Sequence, residues 1–237
     1  MQPLTREQID DLRNFDTRTI CNAIEQFKTR QNTEGFMKPG MMRRSQFAKP
    51  LVGYAATARV SGTYKASALA NEALFNYYKH VRSMPDPSIS VVQDIDIDQS
   101  YSFWGEVQAS THQSLGCVGA IVDGGVRDIP AAEKIGFDFF STKVNVSHGY
   151  VHLVDYGKPA QILGLTINPG DLLHADMHGV TIIPPEIAPL VADKCRQMLN
   201  AESEFLAHIR ATIASGEKPT IEQLREWRKR LIEQRNA

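Results

Sequence analysis

The chain has 237 residues, 42% of them apolar, with 26 basic against 27 acidic side chains and a net charge of −1. That is enough for a sizeable core in one or two domains, and the balanced charge removes the electrostatic argument for a nucleic-acid or anionic-membrane surface. Three scattered cysteines, no basic-then-apolar leader and no apolar run near the roughly 20 residues that span a bilayer point to a cytoplasmic protein acting on a small polar ligand.

Along the chain, Thr5 with Gln8 makes a capping-box pattern, and Asp16 precedes a segment whose Ile20, Ile24 and Phe27 share a helical face. Two short N-terminal helices are predicted. Residues 28–49 turn polar around Gly35, Pro39 and Gly40 and read as a long inserted loop. A β-compatible run at 51–60 is followed by helical spacing over 67–81 through Leu69, Leu74 and Tyr77. Next come a strand at 88–93, a helix from about 104 to 115 and a buried strand at 119–122, an alternation that indicates an α/β protein. Pro130 suits the first turn of a helix ending near Gly136. Further strands are predicted at 138–141, 161–163, 171–175 and 180–183, with Asn168-Pro169-Gly170 suited to a type II turn. A helical pattern fills 186–213, and Thr220 with Gln223 caps one more helix through Leu224, Trp227 and Leu231. The chain divides into N-terminal helices and insertion loop (1–50), an α/β core (51–185) and a helical appendage (186–237).

The run Gly119-Ala-Ile-Val-Asp-Gly-Gly-Val-Arg-Asp128 sets two acids and an arginine between a buried strand and a helix, where open α/β folds bind ligands. The planar fork of Arg127 suits a carboxylate, and Asp128 is a hard oxygen ligand for magnesium or manganese. The residue types also allow a plainer reading, in which Asp123 and Arg127 form an ion pair across a turn and Asp128 caps the next helix.

This run, with Trp104-Gly-Glu before it and Pro169-Gly-Asp-Leu-Leu-His-Ala-Asp-Met-His-Gly-Val-Thr-Ile-Ile-Pro184 after it, resembles the RraA-like family over roughly residues 50 to 185. That family includes 4-hydroxy-4-methyl-2-oxoglutarate/4-carboxy-4-hydroxy-2-oxoadipate aldolases, known from the breakdown of aromatic compounds, and protein regulators of a ribonuclease. The resemblance implies a swivelling β/β/α fold and homotrimers or homohexamers with sites near subunit interfaces. It implies that Arg127 binds the carboxylate and keto group of a pyruvyl substrate and that Asp128 ligates Mg2+ or Mn2+. Gly105, Glu106 and Val107 would face the substrate through backbone N–H groups at a helix start. Glu106, where the family commonly has aspartate, would order metal waters. Glu202 or Glu204 from a neighbouring subunit would complete the site. The implied activity is divalent-metal-dependent cleavage of a 4-hydroxy-2-oxo acid to pyruvate, with a metal-linked water as base and oxaloacetate decarboxylation as a side activity.

Other constellations read as structural. His148/His152 and His174/His178 are spaced i, i+4, but they lie in strand or loop without the HExxH glutamate, so core or pocket-lining roles fit better than zinc. Asp176 reads as a turn residue, Phe103-Trp104 and Phe139-Phe140 as core, and Ser110, Ser141 and Ser147 lack a GxSxG elbow. The rival function is a non-enzymatic, protein-binding regulator of ribonuclease activity. The helical appendage of about 50 residues leans towards the aldolase.

Overall fold

The computed structural model describes residues 2–66, 70–98 and 100–236. Its mixed α/β architecture is the class expected. Helices α1 (Arg6–Leu12) and α2 (Thr17–Phe27) lead to β1 (Met42–Arg43) and β2 (Leu51–Ser61), then α3 (Ala70–Arg82) and β3 (Ser88–Asp94). The central stretch is β4 (Ser102–Trp104), α4 (Glu106–Gln113), β5 (Cys117–Val126), α5 (Ile129–Lys134) and β6 (Asp138–Val144). Strands β7 (His152–Tyr156), β8 (Ala160–Ile162), β9 (Leu165–Ile167), β10 (Leu172–Asp176) and β11 (Gly179–Ile183) precede α6 (Val191–Ser215) and α7 (Ile221–Asn236).

Local signals in the sequence are realised directly. Thr5 and Gln8 form a reciprocal capping box, and the Asp16 side chain accepts from Thr19 N. Thr220 and Gln223 exchange the same pair of bonds ahead of α7. At the Asn168-Pro169-Gly170 turn, Asp171 N donates to Asn168 O at 3.1 Å and Gly170 sits at φ +85°, as a type II turn requires. The helix expected over 67–81 is observed as α3 from Ala70 onward, and positions 67–69 lie outside the described residues.

The main sheet runs β1-β6-β5-β3-β2-β10-β11, with β4 beside β5 and β7 beside β2. Strands β6, β5, β3 and β2 are mutually parallel, while β10 and β7 both pair antiparallel with β2. The 11-residue β2 has room for both: β10 covers Leu51 to Tyr54, and β7 covers Ala58 to Ser61. Neither β4 nor β7 is among the strands predicted. Helix α4 starts two residues later than expected because Trp104 belongs to a strand, where it pairs with Val126. Its fully buried indole stacks on Phe137 at 5.5 Å between centroids and meets Phe139 edge-on at 5.8 Å, so packing overrides the local helical pattern.

Helices α3, α4 and α5 cover one face of the sheet through Tyr77, Val81, Ala109 and Ala132. The β8–β9 hairpin, with Met37 and Met41, covers Ile89, Val91, Ile121 and Phe140 on the other. The N- and C-terminal helices share a third cluster, in which Ile20 and Ile24 of α2 meet Cys195 and Met198 of α6 above Val52 and Leu172. Residues 28–49 are largely irregular but firmly attached. Met37 N donates to Val180 O, and the Arg43 guanidinium reaches Asp138 Oδ2 at 2.6 Å and Lys49 O at 2.7 Å. Among the described residues no helix is long and apolar enough to cross a membrane.

Two residues of the His-rich β10–β11 hairpin serve the fold. His174 is fully buried, with Nδ1 2.9 Å from Thr17 Oγ1 and Nε2 3.2 Å from Leu12 O. A carbonyl only accepts, so Nε2 carries the proton and Nδ1 accepts from the hydroxyl. Asp176 accepts from Thr17 N and from His178 N, pinning α2 to the hairpin. Burial lowers the His174 pKa from 6.5 to about 4. The unfolded chain therefore holds a proton that the native state excludes, so this contribution to stability is full above pH 6.5 and declines as pH falls towards 4. Urea denaturation of wild type and His174→Gln at a series of pH values should show the stability gap between them narrowing by roughly 3 kcal/mol over that window. A gap independent of pH would rule out a neutral buried imidazole.

Candidate active site

Strand β5 changes neighbour part-way along. Its first part, through Asp123, pairs with β3, and Gly125 and Val126 then pair with β4. Gly124 and Gly125 make the change possible. Gly124 lies at φ +155°, and a Cβ on Gly125 would fall 2.0 Å from the Asn145 amide. After this break the chain emerges as Arg127 and Asp128 beside the start of α4, and Arg127 N donates to Trp104 O at 3.1 Å.

Asp128 occupies the N-cap position of α5 in the left-handed region, at φ +53°, and its side chain makes no cap hydrogen bond. Its carbonyl starts the helix by accepting from Ala131 N and Ala132 N. The carboxylate turns away to α4, where Oδ2 accepts from Glu106 N at 3.2 Å and lies 3.9 Å from Arg127 Nε. The ion pair of Arg127 is thus with Asp128. A left-handed non-glycine residue of this kind costs of order 1–3 kcal/mol, which argues for a purpose beyond capping. Gly105 makes the approach possible, since a Cβ there would sit 2.5 Å from Asp128 Oδ2 and 3.4 Å from Arg127 Nε.

Arg127, Asp128, Gly105 and Val107 line a cleft of about 380 Å3. The structure thus brings together the site residues expected from the α4 start and the β5 end. Glu106 is adjacent, but its exposed side chain is not part of the cleft wall, and its N–H is already donated to Asp128. Glu202 and Glu204 lie elsewhere, on α6. Glu202 pairs with Arg235 at 3.4 Å and Glu204 accepts from Gln234 Nε2 at 2.6 Å, so both are turned towards α7 of their own chain.

The rest of the cleft wall matches the pocket-lining reading of one histidine pair and adds groups not singled out in the sequence. His148 and His152 line it, joined by Ser102, Gln108 and apolar residues of α3 and β7. Their i, i+4 spacing is visible in the sequence, and the fold places both on the cleft that Arg127 lines, His152 at the start of β7 in register with Ser61 of β2. Of the other histidine pair, His174 is core and His178 donates to Asp176. Among the described residues no cluster of three or more His, Cys, Asp or Glu is placed to hold a metal. A magnesium ion commonly takes one or two carboxylates and fills its remaining positions with water and substrate oxygens, so the half-exposed Asp128 beside an open cleft fits such an ion.

A family model described as RraA-like, Aldolase/RraA, matches residues 17–182. Protein DlpA of Legionella pneumophila is 30% identical over 156 residues, 65% of this chain and 24% of that protein. A Halalkalibacterium halodurans protein named "Putative 4-hydroxy-4-methyl-2-oxoglutarate aldolase" is 30% identical over 99 residues, 41% of this chain and 47% of its own. The chain thus spans about a quarter and about half of these two relatives. Among solved structures, an uncharacterized protein of Pseudomonas syringae pv. tomato shares the fold at a TM-score of 0.69 and 24% identity, over 95% of each chain. Streptomyces coelicolor RraAS2, titled an unusual member of the RNase ES inhibitor RraA protein family, does so at 0.65 and 19%, over 86% of this chain and 97% of that one.

Gly105→Ala tests the cradle directly. It should weaken magnesium binding, read by calorimetric titration, by at least about tenfold while the circular dichroism spectrum stays unchanged. Wild-type magnesium affinity in this variant would separate Asp128 from metal binding.

Proposed function

The chain belongs to the RraA-like family, and from that premise we propose that it is a divalent-metal-dependent aldolase that cleaves a 4-hydroxy-2-oxo acid to pyruvate, with oxaloacetate decarboxylation as a side activity. The observation that carries this reading is the Asp128 carboxylate, which stands at a helix N-cap yet turns to the α4 start beside Arg127, in a cleft of substrate size. The family holds both aldolases and ribonuclease inhibitors. A surface-binding regulator gives no reason for a strained acid and an arginine to share a cleft.

In this mechanism Arg127 binds the 2-oxo acid carboxylate through its planar fork and lies close to the keto oxygen, where negative charge builds as the C–C bond breaks. Asp128 would hold Mg2+ or Mn2+. When bound, the ion supplies Lewis-acid stabilisation of the developing enolate. The Glu106 amide fixes the carboxylate rotamer of Asp128, and Gly105 leaves the space for it. Glu106, exposed beside the cleft, would order metal waters. The protein works in the cytoplasm, where Cys21, Cys117 and Cys195 remain free thiols.

Assembly into trimers or hexamers belongs to the same proposal. Helices α6 and α7 leave Ile213, Ile221 and Ile232 exposed, which suits packing on a neighbour whose site Glu202 or Glu204 would complete. On the division proposed here, residues 1–50 and 186–237 flank the catalytic core at 51–185.

Arg127→Ala and Asp128→Ala should each lower pyruvate release by at least about 100-fold with the fold intact, since neither residue is in the core. Chelation should remove activity, and magnesium or manganese should restore it. Near-normal turnover in either variant would sink the site assignment. A wild-type protein that binds a ribonuclease but turns over no 4-hydroxy-2-oxo acid would replace the enzyme with the regulator.

Solution mass should be a multiple of three protomers. The Glu202→Gln/Glu204→Gln double variant should lose about 10- to 100-fold in rate if those acids order metal water across the interface. A fully active monomer would contradict the shared site.

A further inference from the structure

An aldol cleavage of this type needs a group to take the proton from the 4-hydroxyl. Among the described residues lining the cleft, the side chains able to accept one are Asp128, His148 and His152. Asp128 already accepts from Glu106 N and pairs with Arg127, and it is the proposed metal ligand. The two histidines therefore decide the question, and they differ in burial and in the element that carries them. His148 is an exposed turn residue whose Nδ1 lies 2.9 Å from the carbonyl of the next residue, Gly149. His152 is half-buried, opens β7 in register with Ser61 of β2, and holds Nδ1 3.0 Å from Tyr150 O.

The contact with Tyr150 O sets the tautomer, as the one with Gly149 O does for His148, so strand position and burial are what single out His152. A carbonyl oxygen only accepts, so Nδ1 of His152 carries the proton and Nε2 of the neutral ring keeps its lone pair. A second observation marks this wall as one that receives a polar ligand. Ser102 is 1% exposed and its Oγ has no hydrogen-bond partner among the described residues, while its N–H donates to Ser147 O at 3.0 Å, beside the turn that carries His148. Gln108, on the same cleft, accepts from Tyr78 O–H through Oε1, which leaves its amide N–H groups for another acceptor.

We propose that His152 is a catalytic residue of the aldol cleavage, with its Nε2 accepting the proton of the substrate's 4-hydroxyl. This inference rests on the aldolase reading. As the O–H bond breaks, its electron pair forms the C4 carbonyl, and the C3–C4 bond breaks with its electrons passing into the enolate of pyruvate. The enolate takes its proton at C3 from water, the imidazolium releases the hydroxyl proton to water in exchange, pyruvate leaves, and His152 is neutral again. No oxidant or further reactant is required, and the base is a side chain of this chain in place of a metal-linked water.

Oxaloacetate separates the base from everything else in the site. Its decarboxylation forms the same enolate but has no hydroxyl proton to remove, so it needs Arg127 and the metal without needing His152. His152→Asn keeps an N–H donor near the Nδ1 position for Tyr150 O and places no atom at Nε2, whereas His152→Gln places a non-basic amide near Nε2. With magnesium present, each variant should lower kcat for a 4-hydroxy-2-oxo acid by at least about 100-fold and leave kcat for oxaloacetate within about threefold of wild type. Added imidazole should restore part of the aldol rate in His152→Ala. Parallel loss of both activities would show a structural role and overturn the proposal. So would retention of both, which would return the proton to a metal-linked water. A wild-type protein with neither activity would instead defeat the aldolase reading, and this inference with it.

Discussion

The geometry of the candidate site depends on one constraint, the exchange of strand partners along β5. A strand cannot pass from β3 to β4 without a break in its pleat, and Gly124-Gly125 provides it where a side chain would collide with Asp94 or Asn145. The exchange carries the chain out of the sheet at Arg127 and lays Asp128 against the N-terminus of α4. It also gives Trp104 a strand position whose buried packing fixes the direction in which α4 begins. Three otherwise separate segments, the β4–α4 junction, the β5 end and the α5 start, thereby converge within hydrogen-bonding distance.

Electrostatics at that convergence are balanced between fixation and availability. The Asp128 carboxylate is about half exposed, so it keeps hydration and can exchange water for a cation without a large desolvation cost. Its contacts, one backbone N–H and one guanidinium at 3.9 Å, leave lone pairs for a metal. By contrast, the Arg43–Asp138 pair is nearly buried and closed on itself, with burial raising the Asp138 pKa and Arg43 opposing that rise. Removing either partner there would strand a charge, which suits a structural clamp. The two arginine–aspartate pairs show how burial separates an anchoring function from a chemical one.

The long β2 strand has a comparable influence on the opposite wall. By accepting β10 at one end and β7 at the other, it ties the terminal-helix cluster to the cleft lining. Residues 28–49 close the sheet from outside through Arg43, Met37 and the Arg30 contacts with Ile182 O and Thr181 Oγ1.

The helix caps, the type II turn, the alternation of strand and helix, and the Arg127-Asp128 pair were legible because each depends on neighbours within a few residues. The periodicity of α6 is likewise a property of consecutive side chains. Strands β4 and β7 were hidden, since three to five residues carry too little pattern to outweigh their surroundings, and each is stabilised by a partner distant in sequence. The family resemblance pointed to Arg127 and Asp128 but not to the left-handed turn that frees the acid from capping. Nor could spacing distinguish His152, on the cleft wall, from His174, sealed in the core: both belong to i, i+4 pairs in β-rich segments. Sequence alone determined which chemical groups are present and which short elements they seed. Tertiary structure decided which of those groups face one another, because strand pairing and burial act between residues tens of positions apart.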